Sequence, residues 1–212
     1  MNYHPVYLNL NGKKVVVIGG GKIAERKILS LIRAGADITV VSPSVTERIL
    51  QEKSRAAIRH IPREFRKTDL KGAFLVIAAT NSPETNKEVS VSAPALINVV
   101  DVPSECNFIA PSVVSRGPLS IAISTSGVSP AFAKTIRKEL EKLYGPEFAD
   151  YLKFVKKIRG KVLSEIAKGT KREAFLKSLG SDKIVRTLRA KGIGTIKAEV
   201  LERLERLRGI KK

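Results

Sequence analysis

The run Gly19-Gly20-Gly21-Lys22-Ile23-Ala24 stands between an apolar stretch, Val15-Val16-Val17-Ile18, and a helical pattern in which Ile23, Ile28, Leu31 and Ile32 recur. The spacing Gly19-x-Gly21-x-x-Ala24 is that of a dinucleotide-binding turn. Gly19 permits the tight turn, Gly21 lets a pyrophosphate approach the backbone, and Ala24 is small enough for the helix to pack closely on the strand. Lys22 and Ile23 open that helix, whose unpaired N–H groups and positive dipole end face the phosphates. Asp101 follows a later apolar run, where a strand should end, and before Pro103 its residue type alone favours a turn cap. Ser124-Thr125-Ser126-Gly127 forms a third group, with hydroxyls just ahead of a helix start, as anion binding would require. One cysteine, Cys106, and two histidines exclude an intramolecular disulfide and a His-rich metal site.

The elements that would position these residues alternate over the first ~115 residues. Asn11-Gly12 turns into the first strand, Gly35 stands at a helix C′ position, and Ile38-Thr39-Val40-Val41 is a second strand. That βαβ unit is the frame the glycine turn needs. The acidic residue expected after the second strand, to bind ribose hydroxyls, is missing: the position reads Ser42-Pro43-Ser44. NAD and NADP therefore both stay open. Val45–Ser54 reads as a helix and Ile58–Ile61 as a weak strand. Phe74–Ala79 has no polar alternation, so it suits a central strand covered on both faces. Ser82-Pro83-Glu84 starts another helix, and Ile97–Val100 is a fifth strand. Thr80, Asn81 and Asp101 follow strand ends, where ligands sit in open α/β sheets. The predicted class is a doubly wound α/β, Rossmann-type parallel sheet. A small segment with Leu119–Ser124 as a strand and Ser129-Pro130 as a helix start should follow, then helices separated near Gly169, Gly180 and Gly192–Gly194. In the last of these helices Leu201, Leu204 and Leu207 form an apolar stripe. The expected domains are 1–115, 116–145 and 146–212.

The formal net charge is +19, and residues 151–212 hold 19 Lys and Arg against 6 Asp and Glu. Such a balance implies polyanionic partners, either nucleic acid or a substrate rich in carboxylates or phosphates. No apolar run is long enough to span a membrane, and the first residues lack a signal-peptide core. A cytoplasmic protein is expected.

Taken together, the sequence resembles the dehydrogenase/chelatase domain of siroheme synthases. The resemblance rests on Pro5–Leu10, Val17–Lys27, Ile77–Asn81, Asn98–Asp101, Phe108–Ser112 and Ile121–Pro130, in order and at matching spacing over residues 1 to about 143. The Ala-Glu-Arg-Lys extension of the glycine turn and the Ser-Thr-Ser-Gly-Val-Ser-Pro loop are its most specific parts. The resemblance implies NAD-dependent oxidation of precorrin-2 to sirohydrochlorin by a homodimer. In some relatives it also implies insertion of ferrous iron, which here stays open. It makes Asp101 the general base. It puts Gly21, Lys22, Ile23, Pro43, Ser44, Thr80 and Asn81 at nucleotide contacts, and Ser124–Gly127 beside the tetrapyrrole. Arg116, Lys134, Arg137 and Lys138 flank that loop and are expected to face the carboxylates of the substrate. The competing function is a nucleotide-sensing, nucleic-acid-binding regulator with a basic helical tail. No recognition-helix signature accompanies it, so specific nucleic-acid binding is not expected.

Overall fold

A computed structural model describes residues 3–209 and divides into two compact units, 1–110 and 111–212. In the first, β1 (Lys14–Ile18), β2 (Asp37–Val41), β3 (Arg59–Ile61), β4 (Leu75–Ala78) and β5 (Leu96–Val99) form one parallel sheet in the order β3-β2-β1-β4-β5. This is the doubly wound α/β class. Both faces are packed, which explains the unbroken apolar runs. Val15 and Val17 enter one core with Ile28 and Leu31 of α1 (Lys22–Arg33), while Val16 and Ile18 enter a second with Val89 of α3 (Pro83–Ser92).

Local chemistry sets the helix limits. Gly35, at φ +74°, closes the turn after α1. Thr46 caps α2 (Glu47–Ser54) by accepting from the Ile49 N–H at 3.4 Å. Ser82 caps α3 by accepting from Thr85 N–H at 3.1 Å, with Pro83 in the first turn. The α1 N-terminus differs: its N-cap is Gly21 and it has no side-chain cap.

The second unit begins with a hairpin of β6 (Ser112–Arg116) and β7 (Leu119–Ile123). Its two-residue loop is Gly117-Pro118, with Gly117 at φ +58°, as a hairpin turn with φ > 0 at its first central residue requires. Five helices follow: α4 (Pro130–Leu143), α5 (Pro146–Glu165), α6 (Thr170–Ser178), α7 (Asp182–Lys191) and α8 (Ile193–Leu207). Phe148, Tyr151, Ile158 and Val162 of α5 build a third core with apolar residues of α6, α7 and α8. The last tail break falls at Gly192, within the expected 192–194, and Gly194 lies inside α8. One expectation is corrected here. The α8 stripe runs Ile196, Val200, Leu204 and Leu207, leaving Leu201 43% exposed, because the buried face follows spacings of four and three back from Leu207. No helix among the described residues is long and apolar enough to cross a membrane.

Candidate functional site

β1 lies between β2 and β4, so successive connections leave it in opposite directions and open a crevice at the strands' carboxyl ends. A cleft of about 540 Å³ occupies that place. Gly19, Gly20 and Gly21 form its floor, Pro43 and Ser44 one wall, and Thr80 and Asn81 the other. The three glycines differ in kind. A Cβ at Gly19, where φ is +111°, would collide with the Ala79 carbonyl, and one at Gly20 with the Ser44 carbonyl. A Cβ at Gly21 would meet nothing within 4 Å. The first two let backbone approach backbone. The third clears the mouth of α1, whose first N–H groups have no intrahelical partner.

Of the other residues expected at the nucleotide, Lys22, Ile23 and Ala24 do not line the cleft. Lys22 is exposed and paired with Glu25 at 3.2 Å, and Ile23 is exposed. Ala24 is wholly buried against the sheet, the packing role its size suggested. A hydrogen bond from Thr46, helped by Lys22, holds the Glu25 carboxyl below the usual range. Thr80 is immobilised by Asn86, a buried residue that the sequence did not single out. Asn86 Oδ1 accepts from the Thr80 N–H at 3.2 Å and from its hydroxyl at 2.8 Å, and Asn86 Nδ2 donates to the Thr80 carbonyl at 3.1 Å. Glu64 and Phe65 also line the cleft unannounced. They follow a three-residue strand and belong to no motif. Their loop is clamped by Arg63, which donates to Asp69 Oδ1 at 2.6 Å and Oδ2 at 2.9 Å.

Asp101 follows β5, exposed, at φ +61°. A turn closed by Val102 N–H to the Val99 carbonyl at 3.4 Å holds it there, and aspartate tolerates this left-handed backbone better than most residues. The far end of its loop is tied back to β5. Cys106 Sγ accepts from Val99 N–H at 3.1 Å, and Asn107 Oδ1 accepts from Ile97 N–H at 2.8 Å. Behind the loop, Lys27 Nζ donates to Asn98 Oδ1 at 3.3 Å. Burial pulls the Lys27 ammonium below the ordinary lysine range, while Cys106 and Asp101 oppose that shift.

In the second unit Ser124, Thr125, Ser126 and Gly127 form one tight turn. Val128 N–H donates to the Thr125 carbonyl at 2.9 Å, and Ser126 and Gly127 both have positive φ, +53° and +85°. Ser129 caps α4 by accepting from Phe132 N–H at 3.2 Å. The basic residues divide. Arg116 directs its guanidinium to carbonyls, Nε to Tyr144 at 2.8 Å and Nη2 to Glu141 at 3.2 Å, so it closes the C-terminus of α4. Arg137 pairs with Glu141. Lys134 is exposed on α4.

Comparisons with known proteins follow this layout. A family profile described as putative NAD(P)-binding matches residues 6–112, and one described as sirohaem biosynthesis protein central matches 116–143. Siroheme synthases of Methylobacillus flagellatus and Nitrosomonas eutropha are 38% and 39% identical, over 81% and 82% of this chain but 37% and 38% of their own lengths. The chain thus spans well under half of these curated relatives. The solved structure of SirC, a precorrin-2 dehydrogenase, superposes with a TM-score of 0.83 at 30% identity, covering 96% of this chain and all of that one. The chain belongs to the siroheme synthase dehydrogenase-domain family. The first profile covers most of the first unit and ends two residues past it, the second lies within the second unit, and the likeness to SirC reaches past both into the helical tail.

Proposed function

We propose that the chain oxidises precorrin-2 to sirohydrochlorin, with NAD as hydride acceptor. One observation carries this reading. β1, β4 and β5 run side by side, so Gly21, Thr80 and Asp101 follow the carboxyl ends of three adjacent strands of one sheet. A nucleotide-sized cleft and an exposed carboxylate thus share one edge of the sheet. The likeness to SirC supports the same reading.

The cleft suits a dinucleotide. Gly21 leaves the α1 N-terminus without a Cβ or a side-chain cap, so backbone N–H groups and the helix dipole can receive a pyrophosphate. NAD, when bound, supplies the hydride acceptor. Asp101 accepts the proton that leaves the tetrapyrrole as the hydride departs. The turn at Val99–Val102 and the Cys106 tie hold the backbone that carries that carboxylate. The Ser124–Gly127 turn and Lys134 contact the substrate carboxylates. Arg116 and Arg137 are better read as supports of α4.

An anaerobic assay with precorrin-2 and NAD tests this, with sirohydrochlorin and NADH formation expected. Asp101→Ala should lower kcat by about 10²–10⁴-fold with NAD affinity unchanged. Normal turnover in that variant would remove Asp101 from the mechanism. Ferrous iron added after oxidation reports chelation in the same cuvette. We also propose a homodimer built on the second unit. The β6–β7 hairpin has only two strands, and Val113, Val128 and Phe132 are exposed in that unit, at 42%, 87% and 60%. Light scattering at the mass of one chain would oppose it. The single buried thiol accords with a cytoplasmic setting.

A further inference from the structure

The ribose-binding acid absent after β2 has a counterpart one strand over. In the sheet register Val41 pairs with Ile61. Ser44 and Glu64 therefore lie the same three residues beyond the ends of adjacent strands, and both line the cleft. We propose that Glu64 takes the role of the missing acid, binding the adenosine ribose hydroxyls and setting a preference for NAD over NADP. The inference rests on the dinucleotide reading of the cleft.

Three observations support it. Glu64 is the only charged residue lining the cleft among those described. Its backbone is fixed from both sides. Arg63 Nη1 donates to the Glu64 carbonyl at 2.8 Å while also holding Asp69, and Phe65 packs against the second core. The backbone that carries the carboxylate is thus already ordered, so binding has only the side-chain rotamers left to fix. Among the described residues no lysine or arginine lines the cleft: Lys22, beside Gly21, pairs with Glu25 at 3.2 Å, and Arg63, beside Glu64, with Asp69 at 2.6 Å. A 2′-phosphate would meet a like charge and no cation on the cleft lining. Ribose hydroxyls would find a charged acceptor, the stronger class of hydrogen bond.

Calorimetric titration of the full chain with NAD⁺ and with NADP⁺ tests this without any turnover. The wild type should bind NADP⁺ at least about tenfold more weakly than NAD⁺. Glu64→Gln should weaken NAD⁺ several-fold and bring the two affinities within about threefold of each other. Glu64 is exposed, and a circular dichroism melt checks that the variant folds like the parent. Equal affinities in the wild type would overturn the proposal, as would an unchanged ratio in Glu64→Gln. If neither nucleotide binds the wild type, the dinucleotide reading itself fails, which is a different result from a lost preference.

Discussion

Gly19 and Gly21 are two residues apart, and the structure gives them opposite mutational behaviour. Gly19→Ala would drive a Cβ into the Ala79 carbonyl at a backbone φ of +111°. It should destabilise the first unit by about 2 kcal/mol or more and lower the melting temperature. Gly21→Ala meets open space on an ordinary extended backbone and should cost only about 0.5–1 kcal/mol, glycine being a better N-cap than alanine. Its methyl would sit at the mouth of α1, so NAD⁺ affinity should fall while the melt moves less than in Gly19→Ala. A thermal melt and a titration on each variant separate the two roles. Residue-level chemistry was legible wherever backbone geometry dictates residue type. Gly19, Gly21 and Ala24 were assigned parts from spacing alone. Arg116 and Arg137 were not legible, because charge near a loop does not say whether a guanidinium meets a ligand, a helix end or a carboxylate on its own helix. Asn86 and Glu64 carried no signal: Asn86 meets Thr80 across a turn that no motif marks, and Glu64 stands in a loop after a three-residue strand.

At the scale of elements, the parallel sheet was readable because strands covered on both faces leave long apolar runs. β6 was missed: Ser112-Val-Val-Ser-Arg is too short and polar to stand out, and only pairing with β7 makes it a strand. The loop after β3 offers a pH test. Arg63 holds the Asp69 carboxyl below its ordinary value of 3.8. A depressed carboxylate contributes stability above that value, lost as pH falls through the lower folded value. Asp69→Asn should therefore cost about 1.5–3 kcal/mol at neutral pH and flatten the acid limb of a stability curve. In the helical unit the sign reverses. Tyr151 is 4% exposed and donates to the Leu179 carbonyl at 2.6 Å, and burial pushes its phenol from 10.0 up to about 12. That contribution is complete below pH 10 and is lost as pH rises towards about 12, up to about 3 kcal/mol in all. In an ultraviolet titration Tyr151 should give a late ionisation step near pH 12, and Tyr151→Phe should remove it.

At the scale of the whole molecule, charge and core are unevenly shared. The first unit holds two apolar clusters around the sheet, whereas the third cluster belongs to the helical unit, where the basic excess concentrates. Any DNA binding by so basic a chain is expected to be non-specific, at about 10⁻⁴–10⁻⁶ M. That affinity should fall steeply with salt and stay the same with or without NAD⁺, an outcome that would separate it from regulation. Cys106 adds something else. It is the chain's one cysteine, buried, with burial pushing its thiol up, and it sits in the bonds that fasten the Asp101 loop to β5. A thiol in that state reacts with a disulfide reagent only when the loop comes away. Its labelling rate is therefore a clock for that single opening event, read against no background from any other sulfhydryl, and a bound ligand that holds the loop shut should slow it.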